Sequence, residues 1–119
     1  MGYKIAIDLG TSGQRAQALD ERGKILQTAM TVRHPLPGAN IMDHLTFAIR
    51  NGLQLSNDIM VGSVNKIIGA LEIDLNEVET IAVCGNPAQL SLFEGIEIRD
   101  LAYAGESLLR ELKVTPPER

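Results

Sequence analysis

Tryptophan is absent, and tyrosine and phenylalanine occur twice each, so aromatic residues make up only 3% of the chain. An aliphatic core follows, and the base-stacking platforms of single-stranded nucleic-acid binders are excluded. There is one cysteine, Cys84. An internal disulfide and a cysteine-ligated cluster held by this chain alone are both ruled out, and a reducing, cytoplasmic setting is expected. Positive charge is in deficit, with 11 Lys and Arg against 15 Asp and Glu and a net charge of −4. Without a basic stripe, neither nucleic acid nor an anionic membrane is an expected partner. No apolar run reaches membrane-spanning length, and no signal-peptide pattern opens the sequence. A G-x-x-x-x-G-K-[ST] loop is missing as well.

What is present is enough for one domain: 119 residues, 45% of them hydrophobic. Its organising stretch is Ile5-Ala6-Ile7-Asp8-Leu9-Gly10-Thr11-Ser12-Gly13-Gln14-Arg15. Ile5 to Leu9 reads as a buried strand carrying one carboxylate, Asp8, which is costly to bury without a partner. Gly10 and Gly13 bracket a tight turn, can take positive φ and can let backbone N–H groups approach an anion. Thr11 and Ser12 add hydroxyl donors. A carboxylate cannot bind phosphate directly, but it can hold hydrated Mg²⁺ that bridges to phosphates. The competing reading is an ordinary hairpin, because its turn favours Gly and Ser on conformational grounds alone.

Further along, Gln14–Asp20 and Lys24–Val32 read as two more strands of an antiparallel meander, joined at Asp20-Glu21-Arg22-Gly23. Residues 33–38 hold two prolines and a glycine and form a fixed loop in which His34 reads as a surface polar group. Asn40 caps a helix whose apolar face is Ile41, Leu45, Ala48 and Ile49, and Asn51-Gly52 ends it. The helix dipole accounts for Asp43, while His44 stays ambiguous. Ser56–Glu72 is a second helix, capped by Ser56 and buried along Met60, Val64, Ile67, Ile68 and Leu71. Thr80–Cys84 reads as a strand sheltered on both faces, with Cys84 a buried small hydrophobe. Gly85-Asn86-Pro87 then opens a helix over residues 88–94 that Gly95 stops. Ile98–Tyr103 reads as extended, Glu106–Leu112 as a short helix, and 115–119 as a linker or truncated end. In open α/β sheets ligands gather at the carboxyl ends of strands. If the first and fourth strands are neighbours, Asp8 and Gly85-Asn86 share one crevice.

Asp8-Leu9-Gly10-Thr11-Ser12 matches the first phosphate motif of the ASKHA superfamily, which includes actin, Hsp70, sugar kinases and acetate kinase. The second half, Cys84-Gly85-Asn86-Pro87-Ala88-Gln89-Leu90-Ser91-Leu92-Phe93-Glu94-Gly95, resembles the reductive activators of corrinoid proteins, as does Gly38-Ala39-Asn40-Ile41-Met42-Asp43-His44. Three departures point to a side branch similar to the archaeal proteins called methanogenesis marker protein 14. Asn40 stands where the reductive activators usually have an acid, Asp43-His44 where they have Ser/Thr-Arg, and Pro87 where they commonly have Thr.

The resemblance implies an α/β, ribonuclease-H-like domain: a three-stranded antiparallel meander followed by helices and a parallel strand. Residues 1–114 would form the N-terminal nucleotide-binding half of an ATPase that reductively reactivates a corrinoid protein, with a link to methanogenesis. It implies ATP and Mg²⁺ as cofactors, Asp8 holding the metal's hydration shell, and Gly10, Thr11, Ser12 and Gly13 meeting the β/γ-phosphates. Gly85 and Asn86 would line the cleft opposite. Arg15 stands near phosphate or exposed on the second strand. A second lobe, downstream or in trans, would complete the ATP clamp, so this chain alone is expected to be inactive. A corrinoid protein and a second copy of the chain are the other expected partners. Two alternatives stay open: a carbohydrate-kinase lobe, and a non-catalytic interaction or dimerisation domain.

Overall fold

The computed structural model describes residues 2–103 and 106–119. Met1, Ala104 and Gly105, all inside the expected 1–114 domain, lie outside the described residues. The meander is present as β1 (Tyr3–Leu9), β2 (Gln14–Leu19) and β3 (Ile25–Met30). After two helices comes β4 (Val78–Gly85). One mixed sheet results, ordered β3-β2-β1-β4, with β4 parallel to β1 and the other pairs antiparallel. The expected adjacency of first and fourth strands is therefore observed, and the α/β class with it.

Side-chain alternation decides which face of the sheet is covered. Ile5, Ile7 and Leu9 of β1 and Ala16 and Ala18 of β2 point one way and are buried. Helix α1 (Ile41–Asn51) and helix α2 (Leu53–Ala70) follow the meander. Val64 and Ile67 of α2, with Leu71 just beyond it, close over the buried strand residues. A second apolar cluster joins Leu36, Leu45, Ala48, Met60, Ala88, Leu92 and Ile98, tying α1 and α2 to helix α3 (Pro87–Glu94). Two short helices, α4 (Arg99–Ala102) and α5 (Glu106–Glu111), complete the chain. No helix among the described residues is long and apolar enough to cross a membrane.

Several expectations are corrected. Asp8 lies on the face opposite Ile7 and Leu9 and is half exposed, so its carboxylate is not a buried charge in need of a partner. β4 is an edge strand rather than a sheltered one. Ile81 is 49% exposed and Cys84 is exposed, because nothing described pairs with the outer rim of β4 or covers its Cys84 side. An apolar run specifies a strand but not its place in the sheet.

On α1 the buried residues are His44, Leu45 and Ala48, while Ile41 and Ile49 are exposed. Ser56 is not a cap: α2 begins three residues earlier, directly after Gly52, and the buried Ser56 hydroxyl donates to the Gly52 carbonyl at 3.1 Å. Gly52, at φ 101°, serves both helices as their whole connection. The stretch expected to be extended contains α4 instead, since Ile98 buries itself in the second cluster and the Glu97 carboxylate accepts from the N–H groups of Ile98 and Arg99. Residues 115–119 run back over the fold, where Arg119 pairs with Asp100 at 2.8 Å and also bonds Ser91.

Candidate functional site

The chain ends of β1 and β4 lie side by side. Asp8 is the register partner of Cys84, and Leu9 that of Gly85. Gly85 needs to be glycine for this approach, because a Cβ there would stand 3.0 Å from the Leu9 carbonyl oxygen and 3.1 Å from its Cβ. The turn from β1 to β2 is tight in the same way. A Cβ on Gly10 would come within 2.8 Å of the Gly13 carbonyl oxygen, and one on Gly13 within 3.0 Å of Thr31 Oγ1. Neither glycine adopts the positive φ that the sequence suggested; close packing, not backbone handedness, is why they are small. Thr31 holds the far side of the turn, its hydroxyl accepting from the Gln14 N–H at 2.9 Å and its own N–H donating to the Gln14 carbonyl.

Asn86 joins the two strand ends. Its Oδ1 accepts from the Gln89 N–H at 3.0 Å and caps α3, with Pro87 at the first helical position. Its Nδ2 donates to Thr11 Oγ1 at 3.3 Å, so the capping residue also reaches the glycine turn. The other end of α3 is held too. Gly95 takes the left-handed conformation, and Asn57 of α2 donates to the carbonyls of Leu92 and Phe93 at 3.1 and 2.7 Å. Fixing α3 at both ends fixes the direction of Asn86.

Open grooves flank the turn. One of about 330 Å³ is lined by Asp8, Ser12, Gly13, Gln14, Arg15, Met30, Thr31 and Val32. Another of about 510 Å³ runs between Thr11 and the start of α1, residues 39–42. Arg15 projects from β2 opposite Asp8, with Nη2 3.8 Å from Asp8 Oδ2 and both side chains half exposed. A pair so exposed contributes about 0–1 kcal/mol. Both groups thus stay available to a polyanion and its cation. No cluster of three or more His, Cys, Asp or Glu occurs among the described residues. A lone carboxylate beside hydroxyls and main-chain amides suits Mg²⁺, which keeps most of its own water, better than it suits a zinc or calcium cage.

Sequence reasoning missed three buried polar residues behind Asn86. The rings of His34 and His44 stack with centroids 3.6 Å apart and planes 15° from parallel. Both are buried, against the expectation that His34 is a surface group. Gln89 bonds the edges of both rings, with Oε1 2.6 Å from His34 Nε2 and Nε2 3.0 Å from His44 Nδ1. Helical spacing held a signal for one of them. His44 is three residues after Ile41 and four before Ala48, inside the apolar stripe. Burial keeps the His34 imidazole below its ordinary pKa; the Gln89 hydrogen bond opposes this and His44 reinforces it.

A mixed sheet in this order, with a glycine–hydroxyl turn at its first corner, is the α/β arrangement of meander, helices and parallel strand that the sequence led one to expect. Over 118 residues, 98% of its length, the chain is 50% identical to the [Co(II) methylated amine-specific corrinoid protein] reductase of Methanosarcina barkeri. It spans only 22% of that relative's length. Among solved structures it is similar to a reductive activator for a corrinoid, iron–sulfur protein, at a TM-score of 0.69 and 21% identity, covering 97% of this chain and 21% of that one. That likeness shows the fold. An Aquifex aeolicus Ppx/GppA phosphatase aligns over 99% of this chain and 37% of its own, at 12% identity and a TM-score of 0.41, too low to carry an argument. No family model matches the chain.

Proposed function

We propose that this chain is the phosphate-binding lobe of an ATP-dependent activator that returns a corrinoid protein to its reduced, working state. The observation that carries the reading is the meeting of the glycine turn with the end of β4, bridged by Asn86 and Thr11. The 50% identity to a corrinoid protein reductase supports the choice of partner.

In this reading the half-exposed turn, residues 10–13, presents main-chain N–H groups and the Thr11 and Ser12 hydroxyls to the β- and γ-phosphates. Asp8 would hold a hydrated Mg²⁺, and the ion would supply charge neutralisation for the phosphates in a hydrolysis by water. Gly85 and Asn86 form the opposite wall. Arg15 is drawn from Asp8 toward the phosphates as the nucleotide arrives. A second lobe, from a longer chain or in trans, supplies the other half of the clamp, so this lobe alone binds weakly. The setting is cytoplasmic, where a corrinoid protein is kept in its reduced, reactive form.

Calorimetric titration with Mg-ATP tests the site. Asp8→Asn is expected to weaken binding about tenfold, equivalent to about 1.4 kcal/mol, with an unchanged circular dichroism spectrum. Equal affinity in the wild type and this variant would remove Asp8 from the site.

A further inference from the structure

The residues behind Asn86 carry an inference about how its amide is aimed, and it rests on the phosphate-binding reading above. Hydrogen-bond donors and acceptors alternate along them with no freedom left. The Leu36 N–H can only donate, and it lies 3.0 Å from His34 Nδ1, which must accept. The His34 proton therefore sits on Nε2 and is donated to Gln89 Oε1. That fixes the Gln89 amide, whose Nε2 donates to His44 Nδ1. The remaining His44 proton, on Nε2, points to the Gly38 carbonyl at 3.2 Å. Both imidazoles are thus neutral, with the same tautomer. Gly38 itself must be glycine, since at φ 101° its Cβ would overlap Asp43.

We propose that His34, Gln89 and His44 are positioning residues for the phosphate site: their one-directional hydrogen-bond chain ties the 33–40 loop and α1 to the first turn of α3, and so aims the Asn86 amide at Thr11. Gln89 is the pivot. Its backbone N–H is the group that Asn86 caps, while its side-chain amide bonds the edges of two stacked rings on other elements. An added proton on either ring would land on Nδ1, facing a donor already there, and would break the chain at that link.

The titratable groups around the rings are few. α1 contributes His44 and, at its exposed start, Asp43, whose carboxylate accepts from the Ala39 N–H. The loop carries Arg33 beside His34, and α3 has no charged residue before Glu94 at its far end.

The test follows the side-chain amide of Asn86 by ¹H–¹⁵N NMR together with the imidazole nitrogens, in the chain without nucleotide, as pH is lowered from neutrality. The Asn86 signal is expected to move with the same midpoint as His34. In Gln89→Met, of similar size but unable to bond either ring, the Asn86 signal is expected to be displaced at neutral pH and no longer to follow His34. Gln89→Glu retains an acceptor for His34 Nε2 and places a negative charge beside it, so the His34 midpoint should rise. Mg-ATP affinity in Gln89→Met should fall about tenfold, the size of one lost hydrogen bond. An Asn86 signal that ignores the His34 titration in the wild type overturns the inference, and that measurement depends on no variant. If Asn86 follows His34 but Mg-ATP does not bind the wild type, the nucleotide reading falls and the positioning stands.

Discussion

At Gly85 a single methyl group decides whether two strands can meet. Its φ lies outside the left-handed region, so alanine is disfavoured there by space and not by backbone conformation. Gly85→Ala should destabilise the fold by about 1–3 kcal/mol, the usual cost of overpacking, read as a lower urea midpoint. His34 makes a prediction with a sign. Its folded pKa is below the ordinary 6.5, so the folded state binds fewer protons than the unfolded state in the window between the two values. The stability it contributes is fully present above about pH 6.5 and is lost as pH falls through the folded value. Urea midpoints measured from pH 7.5 down to 5 should decline, and His34→Gln should flatten the decline; a pH-independent wild type would contradict this. Such single residues differ in how legible they were. Asn40, Pro87 and Gly95 announced their roles because helix starts and stops are a matter of neighbours in sequence. His34, His44 and Gln89 did not, because their partners are 45 and 55 residues away.

Elements were legible where a local period or a breaker defines them, and illegible where only the assembled sheet does. The meander, both long helices and α3 were readable from alternation, helical spacing and glycine. The exposure of β4 was not, since its apolar run is equally consistent with a central strand or a rim. For the same reason the buried-thiol reading of Cys84 failed. α3 is held from outside itself, and this sets the element-scale prediction. Asn57→Ala removes both side-chain donors to its last carbonyls and should cost about 1–3 kcal/mol. Amide hydrogen exchange in residues 90–96 should accelerate more than in β1. Equal acceleration everywhere would mean that Asn57 supports the whole fold and not that helix end.

For the molecule as a whole, the proposed reading makes the sheet and glycine turn one side of an ATP clamp and leaves the other side to a second lobe. The chain alone should therefore release phosphate from Mg-ATP no faster than Asp8→Ala does, measured by inorganic phosphate production. Substantial turnover that Asp8→Ala abolishes would show that one lobe suffices. The superfamily likeness was readable from five residues, Asp8 to Ser12, because their spacing is set by the turn they build. Which surfaces a larger assembly covers was not readable, because exposure depends on neighbours in space.

The bare rim of β4 has a practical corollary. Eight residues with one charge, Glu79, and no proline or lysine form a rim that no strand pairs with among the described residues. Concentrated solutions of the lobe would zip together along this seam, and Ile81→Lys should keep them monodisperse in light scattering. The same seam offers protein engineers a docking rail, on which a complementary peptide strand could be clipped to rebuild a divided enzyme from two separately made pieces.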